Sequence, residues 1–276
     1  MKLTSVELHA DNSSDVIVLS FRDPKATNPY NVKGIVGLDA GDITPRTYGS
    51  SLNTKFYNML LQKRDIVIKV GLNPQFSNGV SYSDLRDNLY KKISSSRSGK
   101  IQLQFKNGLE VVAAISGFIS KLEAAHFDKT QEVQITVNCD EPMLKALDPV
   151  SFDVNDFNPA KTIIFDDKST APHGFAFEMI ILQNIPSLAF SDPNDYWSFE
   201  LIPLGGFLTK DILHFSSEYN KYIYLVRNGL IIHLADVVMP GSVWPILFPE
   251  NNVLAFNKPL SVAWFSVTHY PTYWGV

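Results

Sequence analysis

The residues best able to do chemistry in this chain are six histidines, one cysteine and a few acidic pairs. His9, His126, His173, His214, His233 and His269 never recur at i+2, i+3 or i+4. Zinc and iron motifs on one helix or strand need such spacings, so no local metal site forms. Cys139 is the only cysteine. It ends the alternating run Val133, Ile135, Val137, Cys139, which makes it a small buried hydrophobe rather than a nucleophile, and it leaves no intrachain disulfide. No G-x-S-x-G run presents an activated serine. Ser98-Gly99-Lys100 imitates the end of a phosphate loop, but Ser94 stands where the first glycine belongs and Ile101 where Ser or Thr belongs. Gly34 to Gly41 is glycine-rich without the spacing or the following helix of a dinucleotide site. Asp166-Asp167 and Asp192 with Asp195 read as acidic turns, lacking the regular oxygen spacing and central glycine of a calcium loop. A glycosidase pair is defined by separation in space, and nothing local points to one. The expectation is no catalytic residue, no cofactor and no metal.

The four tryptophans pose a second question. Lectin-type sandwiches stack sugars on surface tryptophans. Trp197 and Trp264, however, fall in alternating strands and are expected in a core. Trp244-Pro245 precedes Leu247 and Phe248 and reads as a buried anchor entering a turn. Tyr273 and Trp274 need a neighbouring strand or subunit to cover them.

Strands must position these residues. Ile66, Ile68 and Val70 alternate, as do Ile101, Leu103 and Phe105, placing one face of each strand on a core. In the second half Phe175, Phe177, Met179 and Ile181 alternate, as do Trp197, Phe199 and Leu201. A last strand starts at Val262 and Trp264. Lys106-Asn107-Gly108 and Arg227-Asn228-Gly229 are Asn-Gly hairpin signals, because both central turn residues need φ > 0. Asn78-Gly79 marks another tight turn within Gly71–Ser83, a polar stretch that reads as an extended loop or protruding hairpin. One helix is expected from about Asp84 to Ser94, with Leu85, Leu89 and Ile93 as its apolar stripe, acids at its start and lysines at its end. Asp148 to Ala160, rich in Pro, Asp and Asn, reads as a linker or crossing strand. Domains of 1–150 and 151–276 follow. The second half, with short strands and regular turn signals, reads as a sandwich or jelly roll.

Composition narrows the function classes. With 45% hydrophobic residues, a chain of this length buries about 70–75% of its unfolded surface. The net charge is −4 and no Lys/Arg run exceeds two residues, which disfavours a face that tracks phosphates and hence direct, sequence-specific nucleic-acid binding. No apolar run approaches the ~20 residues of a membrane helix, and MKLTSVELHADNSSD lacks a signal-peptide core. A soluble protein assembled in a cytoplasm is expected. The 12% aromatic content suits a self-assembling protein and equally an ordinary sandwich.

Two segments give the chain a family likeness. Gly108 to Leu144 contains Gly117-Phe118, Phe127-Asp128-Lys129 and Cys139-Asp140-Glu141-Pro142. Farther on, Arg227-Asn228-Gly229 is followed by Ser242-Val243-Trp244-Pro245-Ile246-Leu247 and Pro249-Glu250-Asn251-Asn252. In these the chain resembles the distal tail proteins of long-tailed bacteriophages. Glu250 replaces the family's turn glycine, with Asn251 expected to supply φ > 0.

The resemblance implies a mainly β protein. A β-barrel or sandwich-like N-terminal ring domain with one helix would precede a galectin-like C-terminal β-sandwich. It implies a non-enzymatic virion protein whose homo-oligomeric ring, of six copies, joins the tail tube protein to the tail-tip hub protein and holds or flanks a receptor-binding protein. A ring needs head-to-tail interfaces, and Phe76, Asn78 and Gly79 are the expected oligomer contact. Trp244, Pro245 and Asn252 are the expected structural anchors. The alternative is a carbohydrate-binding module for host-surface adhesion. It lacks a His-x-Asn-x-Arg strand, so His214, Arg227 and Trp244 would have to converge through folding.

Overall fold

The computed structural model describes residues 2–11, 14–21, 27–39, 43–48, 55–61, 63–94, 99–124, 131–154, 162–194, 196–218, 220–256 and 262–275. The chain divides into two compact units, Met1–Leu147 with Tyr273–Val276, and Asp148–Thr272. Tyr273–Gly275 thus group with the first unit, not with the rest of 151–276.

The first unit contains β1 (Ser5–Ala10), β2 (Val16–Phe21), β3 (Tyr30–Val36), β4 (Ile43–Tyr48), β5 (Lys55–Leu61), β6 (Arg64–Leu72), α1 (Tyr82–Ser94), β7 (Lys100–Asn107), β8 (Glu110–Ala124), β9 (Glu132–Cys139) and β10 (Leu144–Lys145). The order β8-β7-β1-β2-β3-β6-β9 closes on itself through β8–β9 pairing, which makes a seven-stranded barrel. Closure rests on β8, whose 15 residues pair first with β7 and then, from Phe118 onward, with β9. Gly117 sits at the changeover. A Cβ there would stand 2.5 Å from the Asn138 carbonyl oxygen, so the strands can cross this closely only at a glycine. Alternation fills the barrel with apolar residues, most of them aliphatic. Ile66, Ile68, Val70, Leu103, Phe105, Ile135 and Val137 are fully buried.

Helix α1 starts at Tyr82, two residues before the expected Asp84, because Ser81 caps it. The Asp84 amide donates to Ser81 Oγ (3.2 Å), while the Ser81 amide and hydroxyl donate to Asp84 Oδ2 (3.0 and 2.6 Å). These reciprocal bonds satisfy helix-end donors and hold the Asp84 carboxyl below its usual value, the hydroxyl bond first and the amide bond second. Leu85, Leu89 and Ile93 are buried, as their spacing requires.

The two Asn-Gly hairpins differ. Asn228 (φ 51°) and Gly229 (φ 78°) are both left-handed, giving the expected type I′ turn. At the first-half signal only Gly108 is left-handed (φ 66°), and Asn107 pairs with Glu110. The turn is therefore Gly108-Leu109, of type II′, not Asn107-Gly108. A register shift between Phe105 and Lys106 leaves Gly108 and Leu109 as the two loop residues.

The second unit contains β11 (Val150–Val154), β12 (Thr162–Asp167), β13 (Ala176–Ile181), β14 (Leu188–Ser191), β15 (Ser198–Leu201), β16 (Ile212–Ser216), β17 (Tyr222–Arg227), β18 (Leu230–His233), β19 (Glu250–Phe256) and β20 (Val262–His269). They form a six-stranded sheet, β11-β20-β13-β16-β17-β18, and a four-stranded one, β12-β19-β14-β15. Phe177 and Phe215 of one sheet meet Phe190 and Phe199 of the other, edge to face, at 5.3–5.4 Å, which makes the pair a β-sandwich with an aromatic core. Trp197 is 5% exposed, the core position its alternation implied. The Trp264 side chain, His126, Phe127-Asp128-Lys129, Asp195 and residues 155–160 lie outside the described residues.

Candidate assembly surfaces

In the first unit, Gly71 and Leu72 end β6, and Tyr82 and Ser83 begin α1, so the expected loop or hairpin shrinks to a compact turn. Between residues 73 and 81 there is no hairpin. Pro74–Phe76 form a single 3-10 turn. Asn73 anchors it, its amide donating to Pro29 O (2.8 Å) and its Nδ2 to Asn31 Oδ1 (2.8 Å). The Phe76 and Val80 amides donate to Asn73 O and Ser77 O, and Gly79 (φ 73°) closes the turn. Phe76 is 42% exposed and Tyr82 43%, and Asn78 and Gly79 are exposed. The result is an aromatic ring displayed on a pre-ordered backbone, which can be covered at little entropic cost.

Beside α1 runs an open groove of about 790 Å³, lined by Lys69, Arg86, Asp87, Tyr90 and the facing edges of β8 and β9. Arg86 pairs with its neighbour Asp87 (3.1 Å), and Lys121 with Glu123 (2.7 Å). On the barrel's outer face Glu7 accepts from Lys106 (2.7 Å) and contacts His9 (3.1 Å). Burial pushes the Glu7 carboxyl up, but the Lys106 and His9 hydrogen bonds and charges outweigh it and leave the group below its usual value. Arg64 is buried. Its Nη2 donates to Trp274 O (2.8 Å), so the C-terminal segment is tied to the barrel by main chain. Next to it Cys139 is fully buried, and desolvation pushes its thiol up to about 12. It is a core residue without thiolate character at neutral pH.

In the second unit Trp244 is half-buried. Its ring stacks on Phe215 (5.4 Å, 26°) and leans on Phe199 (5.0 Å), with Lys221 Nζ 5.4 Å from its centroid. Pro245 is buried, and Trp197 Nε1 donates to Ile246 O (2.9 Å). Asn252, 6% exposed, accepts from the Phe248 amide (2.7 Å) and donates to Phe248 O (2.8 Å), so its side chain imitates a strand partner and fixes the turn. Asn251 lies in β19 and is not left-handed. The expectation that it supplies φ > 0 fails, because the Asn252 amide closes this turn instead.

Folding keeps His214, Arg227 and Trp244 apart. His214 faces outward, stacked on Tyr224 (4.7 Å) and 3.3 Å from Glu178, while Trp244 packs on the adjacent, inward-facing Phe215. Arg227 is committed to Asp211 by two hydrogen bonds (2.9 and 2.7 Å) and to Gly206 O (2.8 Å). Local spacing missed the pair His173 and His269, 96 residues apart in sequence with ring nitrogens 3.0 Å apart. Among the described residues, no group of three or more His, Cys, Asp or Glu is arranged to hold a metal ion, and no helix is long and apolar enough to cross a membrane.

No protein-family profile matches the chain, and no curated protein matches it in sequence. The fold does have solved counterparts. The Dit protein of phage SPP1, described as a paradigm of the hub adsorption apparatus in phages infecting Gram-positive bacteria, superposes with a TM-score of 0.58. The match covers 87% of this chain and 93% of that one at 13% identity. Chains from the phage p2 baseplate in its activated conformation, with strontium and with calcium, align over 96% and 98% of this chain and 97% and 98% of their own. Both are 11% identical, with TM-scores of 0.43 and 0.42.

Proposed function

We propose that this chain is a distal tail protein of a bacteriophage, a non-enzymatic structural part of the virion tail tip. Its first unit joins copies of itself into a ring of six. The ring links the tail tube protein to the tail-tip hub protein, and the second unit holds or flanks the receptor-binding protein. The likeness to the SPP1 Dit fold across both units carries this reading. It is supported by the rigid Phe76 turn, which offers an aromatic anchor of the kind that dominates protein interfaces. Static light scattering of the purified chain tests it. Six copies of the 30.9-kDa chain are expected, and Phe76→Ser should break them down to smaller species at micromolar concentration. Unchanged mass in the variant would remove Phe76 from the contact.

A second reading is favoured by one observation. The outward face of the six-stranded sheet carries Tyr222, Tyr224 and His214 in ring contact, with Glu178 3.3 Å from His214, a platform with aromatic faces and a carboxylate that can accept from sugar hydroxyls. Glycan-array binding that Tyr224→Ala abolishes would favour a carbohydrate-binding role for this unit.

A further inference from the structure

Asn-Gly occurs at Asn78-Gly79, Asn107-Gly108 and Asn228-Gly229. All of these residues are exposed, so water reaches each pair. Such a dipeptide can react with itself. The Gly nitrogen attacks the Asn side-chain carbonyl carbon, Cγ, and gives up its proton. The Asn Nδ2 takes that proton and leaves as ammonia. The five-membered succinimide so formed takes up one water and opens to Asp or to isoaspartate. No enzyme, oxidant or cofactor enters the balance. Glycine suits the step because it has no Cβ to block the approach. What differs among the three pairs is whether the backbone lets the Gly nitrogen reach Cγ, which requires the peptide joining the two residues to rotate.

At Asn107-Gly108 that peptide is held at both ends. The Gly108 amide donates to Thr4 Oγ1 (2.8 Å), and Thr4 is fixed by its own amide donating to Lys106 O (2.8 Å). Asn107 pairs with Glu110 across the two-residue loop, which commits the Asn107 carbonyl to the hairpin bond. At Asn228-Gly229 the obstacle is steric. The hairpin of β17 and β18 holds Asn228 left-handed (φ 51°). From φ > 0 the required rotation carries an L residue into backbone space open essentially only to glycine.

Asn78-Gly79 has neither restraint. The Val80 amide donates to Ser77 O (3.1 Å) and closes a turn with Asn78 and Gly79 at its centre. Only Gly79 is left-handed (φ 73°), the type II pattern. The closing bond uses neither group of the central peptide, so that peptide rotates with the turn still closed. Asn78 then moves through the broad extended region. Gly79 accepts either sign of φ, and a Cβ built on it would meet nothing within 4 Å. Among the described residues, no hydrogen bond engages the Asn78 side chain or the Gly79 N–H.

We propose that Asn78 is the residue of this chain that converts spontaneously to Asp and isoaspartate, while Asn107 and Asn228 are held back by their hairpins. The product places a carboxylate, and in isoaspartate one additional main-chain atom, in the turn that displays Phe76. A ring contact made through this turn would have to desolvate that charge.

Peptide mapping by mass spectrometry follows all three sites in one sample of the full chain aged at mildly alkaline pH. The peptide containing Asn78 should gain about one dalton as nitrogen is exchanged for oxygen. It should do so at least about tenfold faster than the peptides containing Asn107 and Asn228, the ratio expected from one or two hydrogen bonds that need not be broken. In urea, where the turn and both hairpins are lost, the three rates should draw level. Thr4→Val frees the Gly108 amide and should accelerate the reaction at Asn107 alone. Reaction at Asn107 or Asn228 as fast as at Asn78 in the folded chain would overturn the proposal. So would an order of rates that urea leaves unchanged, or a folded chain in which Asn78 stays intact while all three sites react in urea.

Discussion

The two units solve the problem of unpaired strand edges in opposite ways. The barrel abolishes its edges by bending β8 from β7 onto β9 at Gly117, and it packs aliphatic side chains inside. Its outer face is stitched by Lys106, Glu7 and His9. The sandwich encloses an aromatic cluster around Phe215, covers the free side of β15 with residues 237–243, and leaves β18 open. The seven barrel strands present only side chains and loops such as the Phe76 turn, whereas the β4–β5 ribbon of the same unit keeps open edges. The open sandwich also presents the backbone of an edge strand. The packing also differs between the halves, mainly aliphatic in the barrel and aromatic in the sandwich.

The largest break should come from Phe215→Ala. Phe215 is fully buried and touches Phe175, Phe177, Phe190, Phe199 and Trp244. Removing it should cost about 3–5 kcal/mol, and calorimetry should show the second unit melting earlier while the barrel transition stays in place. A single transition moving as a whole would mean that the units do not unfold independently. A smaller effect is expected for Asn252→Ala, which strips both bonds from Phe248 and should cost about 1–3 kcal/mol, again confined to the sandwich transition in urea unfolding.

Smallest is Glu7→Gln in the barrel, expected to cost about 1 kcal/mol at neutral pH. The Glu7 carboxyl has a depressed pKa when folded, so its contribution is present above the unfolded value of about 4.3 and is lost as pH falls through the folded one. Wild type and variant should therefore converge in stability only when the pH is below the lowered folded-state value. A constant difference across the acid range would mean that the Lys106 and His9 contacts are not what stabilises this face.

Features set by neighbouring residues were legible in the sequence. The alternation at Ile66, Ile68 and Val70, the stripe Leu85-Leu89-Ile93 and the Asn228-Gly229 turn all follow from local periodicity or φ preference. The first-half turn falls at Gly108-Leu109, one residue beyond the Asn-Gly dipeptide, because Asn107 pairs with Glu110 and only Gly108 takes φ > 0. Leu230-Ile231-Ile232 has the composition of a buried strand, and only the sheet order reveals that it is an edge. Barrel closure through β8, the Asp211–Arg227 clamp and the His173–His269 contact depend on residues brought together from afar. Of the candidate site residues, Trp244 packs on Phe215 and Phe199, and Pro245 is buried. Phe76 was placed in an exposed segment, but that segment is a pinned turn rather than a projecting arm.

What is proposed is that copies of this chain assemble with one another into a ring. Native mass spectrometry of the full-length protein across a hundredfold range of concentration tests it most directly. A closed ring predicts a discrete multiple of six chains that persists on dilution. A single chain at every concentration would contradict it.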